Sequence, residues 1–189
     1  MLACDFLTVD TLWLQRLYVL VFLSIGSRRV EYLACTGNPD TAWMLQQSRN
    51  LLIDLDDRGR QMRFLVHDRD SKFSAAFDAV FASEGVRIIR TPVRAPNANA
   101  HVERWVGSVR RECLDRLLIV GRRQPEHVPR VSVRHYNHGR PHRALDLQPP
   151  NPTAARAAAP GNPPAPRTGL HRRHLLGGLI HEYELAPAP

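Results

Sequence analysis

Seven consecutive apolar residues, Leu17-Tyr-Val-Leu-Val-Phe-Leu23, constrain this chain more than any other feature. A strand with one wet face alternates apolar and polar residues, whereas an unbroken apolar run must be covered on both faces. The run is also far too short to cross a bilayer, which takes about 20 residues in a helix. The chain must therefore place layers on either side of a sheet, and the neighbouring sequence supplies them. Leu2 to Val9 reads as a strand before the run, and Arg29 to Thr36 as a third strand after the Gly26-Ser27 turn. Asn38-Pro39-Asp40 starts a helix reaching roughly Leu55 and stopping in Asp56-Asp57-Arg58-Gly59. Arg63 to His67 reads as a strand, Ser71 to Ser83 as a helix and Val86 to Arg90 as a strand. Pro92 and Pro96 then break the chain before a helix from about Asn99 to Leu117. The order predicts an α/β fold with a mixed sheet of about five strands flanked by helices.

Beyond Gln148 the composition changes. Seven prolines between 149 and 166 sit among alanines, which makes a linker over 149–169 and leaves 1–148 as the folded core. In the tail, 170–189, the stretch Leu175 to Leu185 either adds one strand or stays extended.

Charge bears on the partner. Lys and Arg number 26 against 18 acids, a formal net of +8, and Lys72 is the only lysine. Guanidinium groups fork phosphate oxygens, so an arginine excess suits a polyanion, although a GC-rich genome also enriches arginine. Between Arg104 and Pro150 there are ten arginines and four acids, which is most of the excess. Arg110 and Arg111, two turns beyond Glu103, can reach phosphates, or can simply face water. Three scattered cysteines, Cys4, Cys35 and Cys113, show no metal spacing and suit a reducing compartment. The first residues lack the pattern of a signal peptide. The expectation is a cytoplasmic, nucleoid-associated protein with no membrane partner. His135, His138 and His142 are loosely zinc-spaced, but no cysteine lies near them and arginines surround them.

Three carboxylates stand out. Asp5 interrupts an apolar strand, where an ionised group is costly unless paired or metal-bound. Asp68 emerges at the end of Phe64-Leu65-Val66, and Glu103 lies near a helix start beside the apolar stripe Val102, Val106, Val109, Cys113 and Leu117. Carboxylates from three elements form a hard-oxygen site suited to Mg²⁺ or Mn²⁺. Each acid alone reads equally as a strand cap, an ion-pair partner or a solvated helix face.

The surrounding motifs add a family. His67-Asp68-Arg69-Asp70-Ser71-Lys72-Phe73, followed by Ala95-Pro96-Asn97-Ala98-Asn99-Ala100-His101-Val102-Glu103, resembles the second and third acidic motifs of retroviral integrases and insertion-sequence transposases. The 34 residues between Asp68 and Glu103 are about one short of the usual family gap. His135-Tyr136-Asn137-His138-Gly139-Arg140-Pro141-His142-Arg143-Ala144-Leu145 is similar to the signature that closes this core in bacterial insertion sequences. Cys4-Asp5-Phe6 with Val9-Asp10 resembles the first acidic strand; Asp5 fits the family pattern better, and Asp10 competes with it. The resemblance spans residues 2 to about 150.

It implies an RNase H-like DDE catalytic core in which Asp5, Asp68 and Glu103 hold two Mg²⁺ or Mn²⁺ ions. It further implies DNA 3′-end cutting and strand transfer on double-stranded DNA by a homo-multimer. Arg104, Arg110, Arg111 and Lys72 would contact that DNA. Full transposases of this type carry an N-terminal helix-turn-helix region, which here is expected to be missing or encoded in a separate frame. Asp70 stands where the family commonly has glycine, and Pro125 and Pro129 are expected to interrupt a long helix after Leu118. Both departures fit a truncated copy. Two other readings therefore stand beside an active transposition core: a catalytically weak DNA-binding or multimerising remnant, and a plain RNase H-like nuclease.

Overall fold

The computed structural model describes residues 1–92, 100–117, 124–152 and 169–185. Most of the linker expected at 149–169, and the expected start of a helix at Asn99, lie outside them. Five strands form one sheet in the order β3-β2-β1-β4-β5. They are β1 (Leu2–Asp10), β2 (Arg16–Ser24), β3 (Val30–Thr36), β4 (Phe64–His67) and β5 (Arg87–Arg90). The first three pair antiparallel as a meander, while β4 pairs parallel to β1 and β5 parallel to β4. The mixed sheet expected from the sequence is the one that forms, with the apolar run in β2 enclosed between β1 and β3.

The alternation of side chains sorts the core into two layers. On one face Leu2, Cys4, Leu20 and Phe22 pack with Met44, Leu51 and Leu55 of α1 (Thr41–Asp57) and Phe77 and Phe81 of α2 (Ala75–Ser83). On the other, Ala3, Leu7, Val9, Val19, Val21 and Leu23 meet Val102, Trp105 and Val109 of α3 (Ala100–Glu112). Val128 and Tyr136 of α4 (Gln124–His138) complete that layer. Each fully buried large apolar side chain contributes roughly 1.5–3 kcal/mol, which is why both faces are closed.

Helix boundaries follow local chemistry. Asp40 caps α1 by accepting from the Trp43 N–H at 2.8 Å. α2 begins at Ala75 rather than Ser71, because Ser74 is the residue that caps it, through the Phe77 N–H at 3.3 Å. α3 stops at Glu112, short of the Leu117 expected. Cys113 leaves the helical region and a single 3-10 turn, Leu114–Arg116, tucks Leu114 into the core. The prolines do not break α4: Pro129 lies inside it. Pro125 sits in the first turn, whose N–H groups have no intrahelical partner, and Pro129, the sixth residue, gives up one intrahelical bond without ending the helix.

Where one strand or a bare tail is expected at the C-terminus, two strands form. β6 (Leu170–Leu175) and β7 (Ile180–Leu185) pair antiparallel through a turn containing Gly177 and Gly178, both at positive φ. Ile180 joins the core, and the His135 ring nitrogen Nδ1 lies 3.0 Å from Glu182 Oε1. This approach explains Gly139: a Cβ there would stand 2.9 Å from His135 Nδ1 and 3.2 Å from Glu182 Oε1.

Candidate acidic site and its basic surround

Strand parity decides which way each acid faces. Ala3, Leu7 and Val9 point toward α3, so Asp5, of the same parity, points there too. The parallel register pairs Leu2 with Leu65 and Ala3 with Val66; continued along both strands, that offset puts Asp5 level with Asp68. Asp68 follows β4 with the parity of Val66, again on the α3 side. Glu103 lies in the first turn of α3, exposed beside the buried Val102. Sheet and helix thus bring the three expected acids to one end of one face. Asp10 has the opposite parity and sits at the hairpin end, 56% exposed, paired with Arg16 at 3.0 Å.

The electrostatics agree with that placement. Burial pushes the Asp5 carboxyl up to about 6; the Phe6 N–H, donating to it at 2.7 Å, opposes the rise, while Asp68, Glu103 and Asp70 add to it. Burial first, and the neighbouring acids after it, make Asp5 costly to ionise. The donor set, carboxylates without thiolates, suits a hard divalent ion. As the side chains stand, however, no three His, Cys, Asp or Glu among the described residues converge closely enough to hold a metal ion.

Neighbouring residues position the β4 end. The buried His67 ring lies between the Asp68 carbonyl at 2.6 Å and Asp78 Oδ1 at 2.9 Å, and Asp78 also pairs with Arg90 at 2.5 Å. Asp68 Oδ1 accepts from the Asp70 N–H at 3.0 Å. Asp70 is occupied by Lys72, whose Nζ lies 2.8 Å from its carboxylate and over the rings of Phe6 and Tyr18. Burial opposes ionisation of Asp70, but the Lys72 N–H and ammonium win and hold its carboxyl below the usual range. The fourth acid is therefore neutralised by its own turn, and it occupies the only lysine.

The other expected DNA contacts divide. Arg104 and Arg111 are exposed on α3. Arg110 is partly buried and donates from Nη2 to the Thr8 carbonyl of β1 at 2.8 Å. Trp105 is buried against Tyr136, so it packs the core and stacks on no base. His135, His138 and His142 take separate partners: Glu182, Asn151 and the Tyr136 ring. Sequence reasoning missed the role of Asn137. Its side chain accepts from the Val30 N–H at 3.0 Å and donates to the Val30 carbonyl at 2.9 Å, as a neighbouring strand would. The Tyr-Asn pair in the C-terminal motif is the only sequence signal for it.

Residues 84–150 match the family model described as an integrase core domain. A chain of the simian T-cell lymphotropic virus intasome shares the fold at a TM-score of 0.62 and 15% identity, over 96% of this chain and 65% of that one. The catalytic domain of Mos1 mariner transposase aligns at 0.56 and 14% identity, over 69% of this chain and 67% of that one. The HTLV-2 integrase catalytic core, solved in complex with magnesium in a trimeric form, aligns at 0.54 and 12% identity, over 78% and 90%. A comparison with curated proteins gives no match. The chain thus spans just under two-thirds of the intasome chain it resembles. Residues 84–150 thus resemble an integrase core domain, and the chain shares the mixed-sheet fold of these solved structures.

Proposed function

We propose that this chain is the catalytic core for DNA integration or transposition, cutting DNA 3′ ends and joining strands by metal-dependent phosphoryl transfer. One observation carries the reading. Asp5 lies level with Asp68 on the face crossed by α3, and burial together with Asp68, Glu103 and Asp70 raises its carboxyl to about 6. Asp5, Asp68 and Glu103 are the ligands, and Asp10 is not. Two bound Mg²⁺ or Mn²⁺ ions would supply an activated attacking oxygen and stabilise the leaving 3′-oxygen. The chain's own residues hold the rest. His67 and Asp78 fix the turn carrying Asp68, and Arg104 and Arg111 meet backbone phosphates of double-stranded DNA. Arg110, anchored to the Thr8 carbonyl, presents its remaining N–H groups beside them, and Lys72 can join only by leaving Asp70. A homo-multimer acting on DNA fits the intasome and the trimeric integrase core among the structural neighbours. Among the described residues no helix is long and apolar enough to cross a membrane.

The test is nicking of supercoiled DNA with Mg²⁺ or Mn²⁺. Asp68→Asn should lower it at least ~10³-fold, by loss of a ligand to the ions, while leaving DNA binding intact. Wild-type nicking by the mutant would overturn the assignment. A second reading, a catalytically weak DNA-binding or multimerising remnant, is favoured by the incomplete convergence of the acids. It predicts duplex binding without nicking at any metal concentration.

A further inference from the structure

The turn between β2 and β3 contains an expensive residue. Arg28 sits at φ 59°, the left-handed region, where a side chain other than glycine costs on the order of 1–2 kcal/mol. Glycine is available to this turn, since Gly26 lies two residues earlier. What the strained position achieves is reach. Arg28 Nη1 lies 2.5 Å from Nδ1 of His101, 73 residues away and two residues before Glu103. Arg104 follows Glu103 and is exposed. From the other side comes the end of α4 and the loop after it. The His142 ring packs edge-on against Tyr136 with centroids 4.6 Å apart, and Tyr136 packs against Trp105. Arg140 projects from the same loop and pairs with Glu112 at 2.7 Å.

Three arginines from three separate segments thus gather around the rings of His101, Tyr136 and His142. Burial lowers the pKa of the His142 imidazole and the charges of Arg140 and Arg28 add to it, while Arg140, Arg28 and Arg104 all act on the Tyr136 hydroxyl, whose pKa burial raises. Glu112 balances Arg140, but no carboxylate among the described residues pairs with Arg28 or Arg104. Two polar atoms nearby are also unmatched: Ser27 Oγ and His142 Nε2 are buried with no hydrogen-bond partner among the described residues.

We infer that Arg28, Arg104 and Arg140, walled by His101 and His142, form a clamp for backbone phosphates of the DNA strand entering the acidic site. The inference rests on the nucleic-acid reading above and adds to Arg104 two arginines from outside α3, Arg28 and Arg140. Guanidinium groups from different directions suit a phosphodiester, whose two free oxygens accept but never donate. Arg104, adjacent to Glu103, ties the clamp to the scissile position, so the bound phosphate belongs to the reacting strand and not to a free nucleotide.

Arg28→Gly is the informative variant. It removes the guanidinium and relieves the positive φ, so the folded state should survive. Arg28→Lys keeps the charge and serves as its control. Full-length proteins are titrated against a fluorescent duplex without metal across a range of salt. Arg28→Gly should bind on the order of tenfold more weakly and flatten the log-log salt slope by about one, with Arg28→Lys between it and wild type. Inorganic phosphate at the same ionic strength should not erase the difference. A folded Arg28→Gly protein with wild-type affinity and slope overturns the clamp, leaving Arg28 as a tether between turn and helix. Nicking measured in parallel separates the two claims. Wild-type nicking with an unaffected Arg28→Gly protein sinks the clamp alone. A weakened Arg28→Gly protein in a chain that never nicks supports the clamp and sinks the catalytic reading. A wild-type chain that binds no duplex sinks both.

Discussion

Asp5 and Glu31 are acids on strands of the same sheet, and their surroundings are opposite. Glu31, on the outer strand β3, has a fully buried side chain with three arginines around it. Arg60 is at 2.7 Å and Arg29 and Arg58 at 3.4 Å, while Arg58 also pairs with Asp54. The arginines are in surplus, and burial with the charge of Arg29 lowers the Arg58 pKa despite Glu31. Asp5, on the inner strand β1, has acids for neighbours and a carboxyl pushed up to about 6. One acid is compensated from within the chain and contributes to folding. The other has no cation beside it among the described residues, and ionising it works against folding. That is the expected signature of a ligand site on a stable scaffold.

Breaking the compensated side should have the largest effect. Glu31→Gln leaves three arginines facing one another across a neutral amide. Removing one partner of a buried ionic cluster typically costs about 3–5 kcal/mol, and solvent access to the arginines moves the expectation toward about 3. Urea denaturation reads it directly. A loss below ~1 kcal/mol would mean the arginines are solvated well enough without Glu31, and the contrast with Asp5 would collapse.

The uncompensated side should respond with the opposite sign. Asp5 titrates near 3.8 in the unfolded chain and near 6 in the fold. Between those values the native state keeps a proton that the unfolded chain has lost, so stability falls as pH rises through this window. Above pH 6 the deficit reaches at most about 3 kcal/mol. Asp5→Asn should recover much of it at pH 7.5, flatten the stability profile between pH 4 and 6, and remove any thermal shift on adding Mg²⁺. A variant that melts lower than wild type without metal would show that Asp5 is held by partners rather than strained by them.

Much of this contrast was legible in the sequence on one side only. The unbroken run Leu17–Leu23 dictated a doubly covered sheet, and an acid at position 5 in an apolar strand was conspicuous because strands expose their exceptions. Asp68 and Glu103 stood out by the motifs around them. The Glu31 cluster was invisible because its arginines come from the residue before β3 and from the turn after α1, and nothing in their spacing announces a shared partner. The same holds for Arg28 and His101. Asn137 mimics a strand through two bonds to one residue 107 positions away, which no local pattern encodes. Helix ends failed where a single residue decided them, Cys113 leaving α3 early and Pro129 being tolerated in α4.

Glu182 offers an intermediate case, one acid with one partner. Its pairing with His135, with Ile180, Leu175 and Leu176 on the core, docks the β6–β7 hairpin. Glu182→Gln should cost about 1 kcal/mol or less, since both groups retain some contact with water. The loss should be local: hydrogen exchange in β6 and β7 should quicken while the amides of β1 and β2 stay protected. Uniform quickening would mean the hairpin and the sheet unfold as one unit.

The smallest effect is the sharpest control. Asp10 lies on the same strand as Asp5, five residues on, and carries the same charge. Its parity turns it away from α3, it is 56% exposed, and its partner Arg16 is 61% exposed. Water solvates both ions whether or not they meet, so the pair adds little to stability. Asp10→Asn should therefore leave the melting temperature nearly unchanged at pH 7.5, keep the fall in stability between pH 4 and 6, and keep the response to Mg²⁺. Carried through the same melts as Asp5→Asn, it isolates position on the strand from the mere presence of a carboxylate. If Asp10→Asn instead abolishes the Mg²⁺ response while Asp5→Asn preserves it, the ligand is Asp10. The acidic site would then have to form at the hairpin end of β1, away from Asp68.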